Sequence, residues 1–158
     1  MATHNPAGIK PNGHYKQGLY VPINPEKYLG DLSKLIYRSG LEFRICAKLD
    51  RADYVVAWAC EPFAVMYRSP KDGQMHRYFP DFYVVASNND GTYNKSLIEV
   101  KPYKEQFPPK AQGKKKARFL KGAVTYEVNQ AKWAAARELC RKKGWNFEIL
   151  TEKEILGK

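Results

Sequence analysis

The chain has 158 residues, 44% hydrophobic and 27% charged, with a net charge of +11 and a pI near 9.5. A chain of this length buries roughly two-thirds of its unfolded surface, enough for one core without disulfides, and it has no apolar run long enough to span a bilayer. Three cysteines (Cys46, Cys60, Cys140) without a CxxC pair and three histidines (His4, His14, His76) without an HxxxH pair speak against zinc, and with no leader-like segment the thiols fit small core residues of a reducing compartment, while the basic charge favours a polyanionic partner.

In chain order, residues 1–30 mix Gly, Pro, Asn, Lys and Tyr without a helical or strand period. They read as an extended basic N-terminal arm ahead of one domain over 31–158. Lys10, Lys16 and Lys27 would suit a DNA backbone, whereas Tyr15, Tyr20 and Tyr28 more plainly suit anchorage of the arm on its own domain. The first helix is expected over 40–49. Ser39 and Glu42 fit a capping box, and Leu41, Ile45 and Leu49 recur along one face. Residues 54–60 and 63–67, parted by Pro62, then read as strands, and 69–73 forms a turn before a strand over 75–78, giving a meander within one sheet.

The stretch 78–102 carries the chemistry. Two runs rich in β-branched and aromatic residues flank the polar segment 87–91, which predicts an antiparallel pair of strands. Along the second strand the alternation sends Ile98 and Val100 to the core and Glu99 and Lys101 to the other face, where Asp81 can meet them. Buried charges in a sheet need partners or a metal. Two adjacent carboxylates suit Mg²⁺, with Mn²⁺ able to substitute, and a neighbouring lysine suits a water nucleophile and the charge developing on phosphorus. The plainer alternative is a salt bridge at the surface, worth little energetically. His76 reads as an exposed strand residue rather than a base.

Beyond Lys101 the composition changes. Eight basic residues (Lys101, Lys104, Lys110, Lys114, Lys115, Lys116, Arg118 and Lys121) face one acid, Glu105, within residues 101–121. Pro108, Pro109 and Gly113 prevent a helix before Lys114 and predict a loop, and a phosphate backbone passing the site would meet this run. Asn129 is the expected N-cap of a helix over 130–143 that Gly144 ends. A strand over 145–150 then returns to the sheet by a crossover, and Thr151 and Glu154 repeat the capping-box pattern.

Pro80-Asp81 followed 18 positions later by Glu99-Val100-Lys101 resembles the PD-(D/E)XK nuclease signature. The resemblance narrows when Asn24-Pro25-Glu26-Lys27-Tyr28, Ile36-Tyr37-Arg38-Ser39, Arg77-Tyr78-Phe79-Pro80-Asp81-Phe82, Leu97-Ile98-Glu99-Val100-Lys101-Pro102, Val128-Asn129-Gln130-Ala131-Lys132-Trp133 and Gly144-Trp145-Asn146-Phe147 are taken together. This succession is similar to the head completion nucleases of tailed bacteriophages. The resemblance implies a restriction-endonuclease-like α/β fold with a central mixed β-sheet flanked by helices, and an endodeoxyribonuclease leaving 5′-phosphate and 3′-hydroxyl ends. It implies Mg²⁺ held by Asp81, Glu99 and the Val100 carbonyl, with Lys101 on the attacking water. Glu42 would complete the acidic cluster from the first helix, unless it is only a cap, in which case Glu61 is the next acid. Gln130 would lie near the metal waters or be an ordinary helix residue. The expected partners are DNA, phage head or neck proteins and, for double-strand cleavage, a second copy of the chain; the expected place is the virion or the host cytoplasm. The competing readings are a non-catalytic head-assembly protein on the same fold, a transposon-end nuclease and a junction-cleaving nuclease.

Overall fold

The two runs on either side of the 87–91 turn do pair. In the computed structural model, which describes residues 17–111, 113 and 115–157, they are β6 (Phe82–Ser87) and β7 (Tyr93–Val100) of a four-stranded sheet. The elements before them are β1 (Gly18–Leu19), β2 (Ile36–Tyr37), α1 (Gly40–Arg51), β3 (Val55–Cys60), β4 (Val65–Arg68) and β5 (Met75–Tyr78). After them come α2 (Lys116–Lys143), β8 (Asn146–Leu150) and α3 (Glu152–Leu156). The sheet order is β3-β6-β7-β8. The first two pairings are antiparallel, while β8 lies parallel to β7 with Glu99 opposite Ile149. The sheet is therefore mixed, and α2 is the crossover that parallel pairing requires.

Alternation along the strands divides the interior in two. On one face Trp58, Phe82, Val84 and Ile98 pack with Ile45, Cys46 and Leu49 of α1 and with Tyr20 and Leu35. On the other face Trp133 and Ala136 of α2 pack with Val65, Tyr67 and Tyr78, joined by Phe147 and Ile149 of β8. A sheet covered on both faces explains why Glu99, which alternates with the core residue Ile98, is itself only 4% exposed. Cys46 and Cys140 are buried free thiols, as the composition suggested, and Cys60 is half-buried.

Two expectations are corrected. First, β4 and β5 do not continue the main sheet; among the described strands they pair only with each other, as a separate hairpin seated on α2. The cause lies at Glu61, which adopts the left-handed conformation (φ 47°) just before Pro62 and turns the chain out of β3. Second, the helix expected over 130–143 begins at Lys116 and runs 28 residues, about 42 Å. Asn129 is a buried residue within it rather than its N-cap. The first three turns are rich in Lys, Ala, Arg and Leu, good helix formers. The described residues of the loop before it form no α-helix, with a short 3₁₀ turn at Tyr103–Gln106.

The described part of the expected arm is bound to the domain. Tyr20 donates to Asp50 Oδ2 (2.8 Å), the backbone N–H groups of Ile23 and Asn24 donate to the same carboxylate, and Lys27 Nζ reaches the carbonyls of Asp50 and Ala52. The Tyr28 ring meets Trp58 edge-on at 4.8 Å. Lys10, Tyr15 and Lys16 lie outside the described residues. The expected terminal helix forms, with Thr151 and Glu154 closing a full capping box. Among the described residues no helix is long and apolar enough to cross a membrane.

Candidate active site

Asp81 sits in the bend between Pro80, which is buried, and β6. Its side chain does the work of a ladder partner: Val100 N–H donates to Asp81 Oδ2 at 2.7 Å, while the next amide, Lys101 N–H, donates across the sheet to Leu150 O at 3.0 Å. The Asp81 carbonyl in turn accepts from the Glu61 N–H (2.9 Å). The carboxylate is thereby fixed against the end of the strand that carries Glu99 and Lys101.

Glu99 is fixed from two sides. Tyr78 donates its hydroxyl to Oε2 at 2.5 Å, and Lys101 Nζ lies 3.4 Å from Oε1. Burial, then the charge of Glu99, pushes the Asp81 carboxyl well above the usual aspartate range, against the pull of the Val100 N–H and Lys101. Burial and Glu99 likewise raise the Tyr78 phenol, keeping it a donor.

Glu42 both caps and contributes charge. Its N–H donates to Ser39 Oγ, and its Oε2 accepts from Arg38 N–H at 2.8 Å, one residue before the usual capping-box partner. Burial raises its pKa, with Arg38 and Lys101 opposing and Glu61 adding to the rise, and its charge is felt at Asp81. Glu61 is exposed, 3.6 Å from Arg38 Nε. Among the described residues no three His, Cys, Asp or Glu side chains are arranged to hold a metal. The carboxylate oxygens that could serve a hard cation are those of Asp81 and Glu99, and two such ligands would leave room for waters and phosphate oxygens.

Gln130 lies in the middle of α2 and lines a groove of about 520 Å³ with Arg68, Ser69, Pro70, Gly73, Glu127 and Ala131. That lining contains none of Asp81, Glu99 or Lys101. Lys104 belongs to the 3₁₀ turn after Lys101, Lys110 to the loop, and Lys115, Lys116, Arg118 and Lys121 to the start of α2; all six are exposed. Lys114 lies outside the described residues. His76 is exposed on β5 and pairs with Asp72 at 2.7 Å.

Two residues at the site escaped the sequence reading. Tyr78, the clamp on Glu99, is the inward-facing end of β5, opposite the buried Val65 of β4. Lys132 Nζ stands 5.7 Å from the Tyr78 ring centre and 5.8 Å from that of Tyr67. Its signal was a position four before Ala136, beside the buried stripe Asn129, Trp133, Ala136 and Cys140.

Residues 52–152 match the family described as TnsA-like endonuclease N terminal. The chain belongs to the TnsA-like endonucleases. The matched span of this TnsA-like endonuclease holds Tyr78, Asp81, Glu99, Lys101 and Lys132, while Glu42 precedes it. The chain is also 37% identical over 139 residues to the head completion nuclease of Enterobacteria phage T4, covering 85% of this chain and 90% of that protein. No solved structure matches it. The fold class expected from the sequence is thus the one found, and the chain is an endodeoxyribonuclease.

Proposed function

We propose that this endonuclease hydrolyses DNA phosphodiester bonds with Mg²⁺ held by Asp81, Glu99 and the Val100 carbonyl, and that it acts on packaged phage DNA or its end as the head is completed. The observation that carries the chemistry is the pairing of half-buried Asp81 with buried Glu99, with Lys101 Nζ 3.4 Å from Glu99, inside the span that matches the endonuclease family. The occasion of cleavage rests on the likeness to the T4 head completion nuclease.

Each side chain has a separable part. Asp81 and Glu99 supply oxygens already oriented by the Val100 N–H and the Tyr78 hydroxyl, so little reorganisation is needed on loading. The ion, when bound, polarises the scissile phosphate and acidifies water. Lys101, half-buried at the strand end, orients the nucleophilic water and stabilises charge growing on the phosphoryl oxygens. The basic residues from Lys104 to Lys121 attract the backbone on either side of the cut. Glu42 adds negative charge at the mouth of the site and opposes loss of the cation.

The test is incubation of purified protein with supercoiled, linear and branched DNA in Mg²⁺ or EDTA, with the products sized and their termini labelled. Cleavage in Mg²⁺ alone, leaving 5′-phosphates, is the expected result. Equal cleavage in EDTA would remove the metal from the reading, and intact DNA throughout would favour a head-assembly role on the same fold.

A further inference from the structure

The β4–β5 hairpin stands outside the main sheet and its inner face is spent on α2, which leaves its outer face to be explained. Val65, Tyr67 and Tyr78 point inward and are buried, whereas Met66 and Met75 are 52% and 49% exposed and Arg68 and Arg77 are exposed with them. The register sets Met66 opposite Arg77 and Arg68 opposite Met75, so the outward side chains form a checkerboard of apolar and cationic groups. Single exposed apolar residues are ordinary, but two methionines interleaved with two arginines on a ribbon that pairs with no other described strand form a surface. Its charge is positive. Residues 65–78 carry Arg68, Lys71 and Arg77 against one acid, Asp72, whose carboxylate is taken up within the turn by Gln74 N–H and His76.

The ribbon is also aimed. β5 ends at Tyr78, whose hydroxyl holds Glu99, and Asp81 follows three residues later, past Phe79, which is 46% exposed. Each strand spans about 13 Å, the length of roughly four stacked base pairs. From these observations we infer that the outer face of the β4–β5 hairpin is a contact surface for duplex DNA, holding the double-stranded part of the substrate beside Asp81 and Glu99. This rests on the reading of the chain as a DNA endonuclease. A two-stranded ribbon fits the major groove, where arginine reaches phosphates or guanine edges and an apolar side chain meets thymine methyls. Charge distinguishes this occupant from a protein partner, because the same polyanion must already reach the carboxylates into which β5 runs.

The experiment is fluorescence anisotropy in EDTA with a short labelled duplex and the corresponding single strand, each titrated with salt. The variants are Lys71→Ala/Arg77→Ala and Arg77→Glu. Arg68 is spared because its guanidinium bonds the Gly73 carbonyl at 2.7 Å and so holds the turn. Circular dichroism and melting should match wild type, since Lys71 and Arg77 are exposed. The double variant is expected to lose about tenfold in duplex affinity and about 1.8 in salt slope, with a smaller change for the single strand. Wild-type affinity and slope in both variants, while the wild-type protein cleaves DNA in Mg²⁺, would overturn the surface and leave the endonuclease standing. Equal loss on duplex and single strand would overturn the assignment to duplex. A wild-type protein that neither binds nor cuts DNA would sink the underlying reading instead.

Discussion

Two aspartates with little access to water carry opposite burdens. Asp50, fully buried near the end of α1, accepts from the Tyr20 hydroxyl and from the backbone N–H groups of Ile23 and Asn24. Burial alone would raise its pKa, but these donors outweigh it and the net shift is downward. Asp81, partly buried, has one backbone donor and a second carboxylate beside it, and its pKa goes up. Burial is common to both, so the number of donors and the sign of the neighbours decide whether a carboxylate's pKa falls or rises on folding.

The largest effect should come from removing either carboxylate of the proposed site. Asp81→Asn or Glu99→Gln is expected to reduce single-turnover cleavage at least a thousandfold, roughly 4 kcal/mol, and Lys101→Ala about a hundredfold, roughly 3 kcal/mol. For Asp81→Asn the melting temperature near neutral pH should stay level or rise. Its folded pKa lies above the unfolded one, so its ionised form opposes folding there. A steep fall in melting temperature would instead place Asp81 with Asp50, as a structural group.

Asp50→Asn should do the reverse. An amide cannot answer the same donors as a carboxylate, and about 3 kcal/mol of stability should go, read by denaturant titration, with catalysis per folded molecule unchanged. Because the folded carboxyl titrates below its unfolded value near 3.8, its contribution is complete above that value and disappears as pH falls through the lower folded pKa. Melting profiles of wild type and variant should therefore converge in strong acid. Profiles that stay parallel down to pH 2 would show that Asp50 does not act through its charge.

Tyr78→Phe sharpens the contrast on the side of the proposed site, since it removes the hydroxyl that pins Glu99. About tenfold weaker Mn²⁺ binding is expected, measured by calorimetry without DNA, and saturating metal should restore most of the cleavage rate. Unchanged binding would reduce the hydroxyl to a packing contact. The smallest change is expected at the basic run: Lys115→Ala/Lys116→Ala should weaken binding alike for unrelated duplexes and lower the salt slope by about 0.9 for each lost contact. A slope equal to that of wild type would leave these lysines in solvent.

What the sequence disclosed, and what it hid, follows from how local each cause was. The antiparallel β6–β7 pair and the Glu99–Lys101 face were legible because alternation is a property of adjacent residues. The start of α2 was hidden because the lysine run resembled a loop and Asn129 resembled an N-cap, although Phe119, Leu120, Ala123 and Val124 recur at helical spacing ahead of it. The separate hairpin was hidden because one left-handed residue, Glu61, redirects the chain, and glutamate does not advertise that conformation. Asp50 did leave a trace. An acid in the last turn of α1 opposes the helix dipole, which is a reason to look for donors arriving from elsewhere, and they come from residues 20–24.

The parallel pairing of β7 with β8 also bears on when the enzyme becomes dangerous to its surroundings. Until β8 has been made, one edge of β7 is open, and the Lys101 amide lacks the Leu150 carbonyl that anchors it. Ribosomal synthesis of the interval between Val100 and Leu150 takes about 2–10 s, and closing so long a connection adds to the delay. A nascent chain thus carries both acids and the lysine well before it carries the strand that aligns them, so the proposed site matures only after most of the domain has been translated.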